Sequence, residues 1–224
     1  MSWQRDQIIE AAHHLLETIP SGVTIIAAAK QRTIPEVEAV IQAGITHIGH
    51  NFFQEAQDMI PVLTDRATWH MIGHLQRNKA AHAIRYFDMI GTLDSLRLAN
   101  TIEQYCAQAG KVMPVLVEVN SGREPNKAGI FPEDVETFVI SVSKMKHIRI
   151  EGLMTMGPLF VDPEQLRPYF QTTRQVFENL LSLNNPHITM DYLSMGMSDS
   201  YQMAIEEGAN IIRIGTKLFG PRNT

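Results

Sequence analysis

Two short turns and one lysine carry the residue types from which chemistry can be built. The first turn is Leu193-Ser194-Met195-Gly196-Met197-Ser198-Asp199 and the second is Arg213-Ile214-Gly215-Thr216. Each follows a short apolar run, Ile188 to Leu193 and Asn210 to Ile214, and each closes on glycine and small hydroxyl residues, where a strand gives way to a helix. Glycine lets the backbone approach an anion, hydroxyls donate to it, and a helix starting near Ser198 turns unpaired N–H groups outward, so the two turns side by side form a phosphate cradle. The lysine is Lys30, which closes the apolar run Val23 to Ala29. A strand end buries the stem and brings out the amine. Desolvation there disfavours the ammonium form and leaves a neutral amine able to attack an aldehyde. On position alone a lysine that merely snorkels from the strand end is the commoner case.

The elements that must position these residues follow from periodicity. Near-continuous apolar runs predict parallel strands at Val23 to Ala29, Ile45 to Gly49, Thr68 to Gly73, Phe87 to Thr92, Met113 to Val119, Ile148 to Met154, Ile188 to Leu193 and Asn210 to Ile214. Helical spacing lies between them, at Glu36 to Ala43, Phe52 to Leu63, Gln76 to Ile84, Leu96 to Ala109, Pro132 to Lys144, Pro163 to Leu183 and Asp199 to Glu207. An extra amphipathic helix over residues 3–18 precedes the first strand and is expected to cover one end of the fold. Thr33-Ile34-Pro35-Glu36 reads as a capping box, Asp94 and Asp162 as N-caps, and Gln165 as the partner completing a box with Asp162. Strict alternation of eight strands with helices predicts an α/β fold, a single (β/α)8 TIM barrel, as one domain over residues 1–224. In such barrels a phosphate site commonly sits after strands seven and eight, at the C-terminal face. The two turns fall there, and Lys30 ends strand one at the same mouth. An amine and a phosphate cradle across one mouth are the fixtures needed to hold pyridoxal 5′-phosphate (PLP) as a Schiff base. Arg213, if it points inward, can donate to the pyridine nitrogen and weaken the cofactor as an electron sink. Its other reading is a salt-bridged residue on the rim.

Composition bounds the rest. The chain has 224 residues, a net charge of −5 and one cysteine. No clustered Lys/Arg tract suggests nucleic-acid binding, no apolar run suits a membrane span, and no signal-peptide core begins the chain, so a soluble cytoplasmic protein is expected. Cys106 shares helical spacing with Leu98, Ala99 and Ile102 and reads as a core thiol.

The residues also carry a resemblance. Ala27-Ala28-Ala29-Lys30, Gly49-His50-Asn51-Phe52-Phe53-Gln54-Glu55, the run from Trp69 to Lys79, Val119-Asn120-Ser121 continuing to Lys127-Ala128-Gly129, Glu151 to Met156 and the two turns together resemble the YggS/PROSC family of pyridoxal phosphate homeostasis proteins, in order from Ile25 to Arg222. The resemblance implies a barrel of the alanine racemase N-terminal type. It implies Lys30 as the Schiff-base lysine and Arg213 facing the pyridine nitrogen. Ser194, Ser198, Gly215 and Thr216 would surround the phosphate, Asn51 would line the pocket, and Met154 and Met195 would form apolar walls. By the same resemblance His74, on the turn after strand three, would face the mouth. The implied role is reversible holding of PLP in vitamin B6 and amino-acid homeostasis, without strong turnover, with PLP-dependent apoenzymes as recipients. Departures from the family pattern are His50 in place of an acid, which would remove a charge beside the cofactor, Ala29, Ser200 and Lys217, the last either adding charge near the phosphate or solvated.

Other chemistries fit less well. His70 and His74 have i, i+4 spacing, but the first lies in a predicted strand, and no Cys or carboxylate cluster joins them, which argues against a metal. A PLP-dependent racemase-like enzyme is the alternative. Related racemases take a second acid/base from an added domain of the partner subunit, for which a chain ending at Thr224 leaves no room. A Schiff-base aldolase needs carboxylates at the strand ends, which read as poor in Asp and Glu. A partly covered mouth predicts a monomer with an exchangeable cofactor.

Overall fold

The computed structural model describes residues 4–158, 162–183, 185 and 188–221. Eight parallel strands pair in chain order and close into a barrel, β1 to β8. They are β1 Thr24–Ala28, β2 His47–His50, β3 Thr68–Met71, β4 Met89–Leu93, β5 Met113–Glu118, β6 Ile148–Met154, β7 Ile188–Ser194 and β8 Ile211–Ile214. The closing pair sets Ile26 against Arg213 and Ala27 against Ile214, so the arginine sits one layer inside the seam. Such strands read as apolar because both faces are covered: helices lie outside, and Met89, Leu116 and Met154 form a separate small cluster with Tyr192 within the barrel.

The outer layer comprises α1 Arg5–Thr18, α2 Ile34–Gln42, α3 Phe53–Ala56, α4 Ile60–Leu63, α5 Ala80–Tyr86, α6 Leu96–Ala109, α7 Val135–Val142, α8 Arg167–Leu181, α9 Tyr201–Glu206 and α10 Thr216–Phe219. Helix α1 buries Ile8, Ala12 and Leu15 on one stripe. It packs against α2 and α10, the helices after β1 and β8, and so covers the barrel seam rather than an end. The Thr33/Glu36 capping box forms as the sequence predicts, with Pro35 in the first turn.

Several helices differ from expectation for local reasons. The stretch expected as one helix from Phe52 to Leu63 is broken into α3 and α4. Pro61 has no N–H to continue the ladder, and the chain restarts around it. Residues 77–79, 132–134 and 163–166 are tight 3₁₀ turns that lead into α5, α7 and α8. The N-cap of α6 is Ser95, whose Oγ accepts from the Leu98 N–H at 3.3 Å, and not Asp94, which bonds His74 instead. Asp162 does cap its turn, accepting from the Glu164 N–H at 3.0 Å, without a box from Gln165. Cys106 is fully buried on α6, and burial pushes its thiol up to about 11, as a core thiol requires.

Candidate functional site

The C-terminal mouth of the barrel is built around Arg213. Inward placement on β8 buries it to 4% exposure, which overturns the rim reading. Its Nη1 donates to the Ser194 carbonyl at 3.1 Å and to Ser194 Oγ at 2.6 Å, and Nη2 donates to the Thr155 carbonyl at 2.9 Å. Desolvation draws its pKa down to about 10, while the Glu118 charge works in the opposite sense. Three donors are held by the ends of β6 and β7, so the guanidinium is fixed in one plane.

The two turns lock onto each other. Gly196 adopts φ +85°, and a Cβ there would stand 2.6 Å from Ala204 Cβ, so glycine is required for the chain to double back under α9. Its carbonyl accepts from the Arg213 N–H at 3.1 Å, tying the first turn to β8. Ser198 Oγ accepts from the N–H groups of Gly215 at 3.2 Å and Lys217 at 3.4 Å. Two backbone donors of the second turn therefore converge on one oxygen position. Helix α9 begins at Tyr201, not near Ser198, so the donors gathered here come from the turn after β8. Gly215 is partly buried and Thr216 exposed.

Lys30 lies two residues past the end of β1, in a turn, with Nζ 5.6 Å from the centre of the Phe52 ring. Gly215 stands beside that strand end: a Cβ built on it would be 3.7 Å from Ala28 Cβ. Arg32 fastens the same loop to the end of α10, the helix that follows the second turn, by donating to the carbonyls of Phe219 at 3.3 Å and Gly220 at 2.6 Å. The lysine and the converging N–H groups are thus held on one piece of structure. On the neighbouring strand, Asn51 follows β2 and packs backbone to backbone on Gly73, where a Cβ would come within 2.4 Å of the Asn51 carbonyl. Asn51, Phe52, Gly73 and His74 border a cavity of about 420 Å³. His74 Nδ1 is 2.9 Å from Asp94 Oδ2.

Other expected site residues separate. Met154 belongs to the cluster inside the barrel, but Met195 is wholly buried in the main core, so it is not a wall of the mouth. Their strands alternate: Ser194 turns inward to Arg213, and its neighbour Met195 turns outward. His50 also faces the helix layer, wholly buried, its ring stacked on Trp69 at 6.0 Å and Nδ1 3.9 Å from Glu55 Oε2. It is therefore not beside Lys30. Lys217 is exposed, as the solvated reading expects, with its ammonium 4.8 Å from the centre of the Tyr201 ring. Ser200 Oγ accepts from the Met197 N–H at 3.1 Å and steadies the first turn. His70 pairs with His47 at 2.9 Å, whereas His74 pairs with Asp94, so the i, i+4 histidines part company.

Three residues at the mouth escaped sequence reasoning. Thr155 supplies a carbonyl that holds Arg213, and Arg32 anchors the end of α10 behind the second turn. Glu118 ends β5, and burial, with Asp94 adding to it, lifts its carboxyl to about 7, while Arg213 and His74 oppose the rise. Glu118 and Asp94 correct the reading that the strand ends are poor in carboxylates. A single acid inside the apolar run Met113 to Val119 was the available signal.

An inward arginine, a lysine past the first strand end and N–H groups gathered after β8 share the mouth of one closed (β/α)8 barrel, and residues 5–223 match the family model for the alanine racemase N-terminal domain. The chain belongs to that family and, within it, to the pyridoxal phosphate homeostasis proteins. The pyridoxal phosphate homeostasis protein of Aquifex aeolicus is 36% identical over 199 residues, covering 88% of this chain and 86% of the relative. The structure of PipY from Synechococcus elongatus with PLP bound superposes with a TM-score of 0.87 at 33% identity, covering 95% of this chain and 100% of that one. Alanine racemase of Clostridium difficile shares the fold, with a TM-score of 0.78 at 16% identity over 98% of this chain and 57% of that one. No helix among the described residues is long and apolar enough to cross a membrane.

Proposed function

We propose that this protein binds PLP covalently through Lys30 and acts in intracellular PLP and amino-acid homeostasis, holding the cofactor and releasing it to PLP-dependent apoenzymes. The observation that carries this reading is the convergence of the Gly215 and Lys217 N–H groups on one oxygen position, on the same piece of structure as Lys30. Both donate to Ser198 Oγ in this structure, so a phosphate oxygen would take the place of that hydroxyl, with the Ser198 and Thr216 hydroxyls turned to the same anion. When bound, PLP supplies an aldehyde for the lysine amine and a phosphate for the turns. Arg213 keeps its Nε–H and one Nη2–H beyond the three donors already engaged, and so can donate to a ring nitrogen over the mouth. A fixed cation there opposes protonation of that nitrogen, which suits holding over turnover. Ser194 keeps Arg213 in place, Asn51 borders the pocket, Met154 closes the floor within the barrel, and Met195 supports the first turn from the core. The homeostasis naming of the relatives and the PLP in PipY support the same reading.

The test is the visible absorption spectrum of the purified protein with added PLP, for wild type and Lys30→Ala side by side. A visible band is expected in wild type alone; a band of equal strength in Lys30→Ala overturns the anchor. Sedimentation is expected to give a monomer. Glu118, a carboxyl at the mouth with its pKa near neutrality, is the one observation favouring a second reading, weak racemase-like turnover. Formation of D-alanine from L-alanine that disappears in Lys30→Ala would establish that second reading; its absence keeps the carrier.

A further inference from the structure

The loops after β5, β6 and β7 enclose a second cavity, of about 230 Å³, lined by Glu118, Asn120, Ser121, Lys127, Met156 and Met197 among others. None of the residues proposed to hold PLP lines it. The cavity is pre-formed. Asn120 clamps the 120–129 loop, its Oδ1 accepting from the Glu124 N–H at 3.1 Å and its Nδ2 donating to the Glu124 carbonyl at 2.9 Å. The loop folds back onto β5 through the Ile130 N–H, which donates to the Glu118 carbonyl at 2.8 Å. Ser121 Oγ lies 3.0 Å from Thr155 Oγ1, which donates to the Val119 carbonyl at 2.9 Å. A wall so braced loses little freedom when a ligand enters.

Its charges are placed at two ends. At the inner end stands Glu118, whose Oε2 is buried without a hydrogen-bond partner. At the lip Lys127 pairs with Glu124 at 2.7 Å, both side chains being about half exposed, 46% and 37%. An exposed pair of that kind contributes little and exchanges readily for a competing carboxylate. Val119, Ala128, Met156 and Pro158 supply the apolar part of the lining. A buried carboxylate that lacks a donor asks for one, and an ammonium gives the strongest hydrogen bond available. The volume lies below the range of drug-sized sites, which limits the occupant to a small molecule.

We propose that this cavity binds a small zwitterionic amino acid, its ammonium on Glu118, its carboxylate on Lys127 and its side chain against Met156 and Pro158. Met197 belongs to the turn that carries Ser198, and Thr155 is bonded both to Ser121 of the cavity wall and to Arg213. The occupant therefore touches the frame of the mouth and shares Glu118 with it, but none of the residues proposed to hold PLP. The assignment stands apart from the PLP reading.

The experiment is calorimetric titration of the full chain, free of added PLP, with glycine and L-alanine and with the half-charged probes ethylamine and acetate. The amino acids are expected to bind saturably at millimolar concentration, and each half-charged probe about tenfold more weakly or worse. Glu118→Gln and the cavity-filling Ala128→Leu are each expected to weaken glycine and L-alanine about tenfold or more, Lys127→Ala to weaken acetate more than ethylamine, and Lys30→Ala to leave amino-acid binding unchanged. Failure of either amino acid to saturate the wild type overturns the proposal. Unchanged affinity in both Glu118→Gln and Ala128→Leu overturns it too, as does acetate or ethylamine binding as tightly as L-alanine. Loss of binding in Lys30→Ala would move the occupant to the lysine and likewise end the assignment.

Discussion

The two sides of the barrel mouth are built on opposite principles. On the β7–β8 side the buried polar groups answer one another: Arg213 with Ser194 and Thr155, Gly196 with the Arg213 N–H, and Ser198 with Gly215 and Lys217. On the β2–β3 side buried polar atoms stand without partners, both ring nitrogens of His50, Oε2 of Glu55 and Nε1 of Trp69. A satisfied network in a low-dielectric interior is rigid and specific, whereas unpaired buried groups lower local stability and leave that side easier to move. Rigidity is therefore concentrated on the side that carries the proposed phosphate donors, and the compliant side carries Asn51 and Phe52, over which the proposed cofactor would enter and leave.

The comparison breaks most sharply at Gly196. An alanine there must hold φ +85° and bring Cβ within 2.6 Å of Ala204 Cβ and 2.9 Å of Tyr201 Cα. Left-handed strain and overpacking add, so Gly196→Ala is expected to lose about 2–5 kcal/mol and to lower Tm by roughly 5–15 °C in a thermal melt. Gly73→Ala, on the other side, meets the Asn51 backbone at 2.4 Å, and its expected loss is smaller because the loop bearing Asn51 can give. Equal losses would remove the distinction between a rigid and a compliant side.

Ser194→Ala tests the network itself. It takes one of three acceptors from a guanidinium that is almost wholly buried, and about 1–3 kcal/mol is expected in urea unfolding. A change under about 0.5 kcal/mol would mean that the network holds geometry without contributing stability.

How far the sequence foretold this division depends on which forces act locally. The strand order, the capping box at Thr33 and Glu36, and the bounds of α6 are set by periodicity and short-range bonding, and these are legible. The inward place of Arg213 follows from strand parity once β8 is located. The same parity argument, applied past Leu193, puts Met195 in the outer core and His50 away from Lys30, and the sequence reading assigned both by resemblance instead. Arg32, Thr155 and Glu118 were not legible, because their roles arise from contacts across the barrel mouth. Arg32 reaches Gly220 over a separation of 188 residues, and no local pattern records that.

Glu118 sharpens the comparison through pH, since it faces the satisfied side yet lacks a partner of its own. Burial raises its carboxyl to about 7, so between the ordinary carboxylate range and neutrality the folded state binds a proton that the unfolded state has lost. The group therefore favours folding only in its protonated form. Its contribution falls as pH rises from about 4.5 towards 7, and the full penalty is present above that. Glu118→Gln is expected to match wild type at pH 4.5 and to exceed it above pH 7 by on the order of 1–2 kcal/mol, read as the pH dependence of urea midpoints. The opposite slope, with the variant weaker at high pH, would show that Arg213 holds Glu118 ionised.

The smallest effect is expected from removing His50, and that is what makes it informative. The ring is wholly buried, gains no hydrogen bond from either nitrogen, and sits 3.9 Å from a carboxylate oxygen that is itself unpaired. Replacing a buried polar group that has no partner returns its desolvation penalty, and leucine fills comparable space between Trp69 and α3. His50→Leu should thus lie within about 1 kcal/mol of wild type, on either side, where Ser194→Ala does not. If it instead loses more than about 2 kcal/mol, His50, Glu55 and Trp69 act as a bonded group. The two sides of the mouth would then be equally satisfied, and the ease of cofactor exchange would have to be sought in the exposed ring of Phe52 over Lys30.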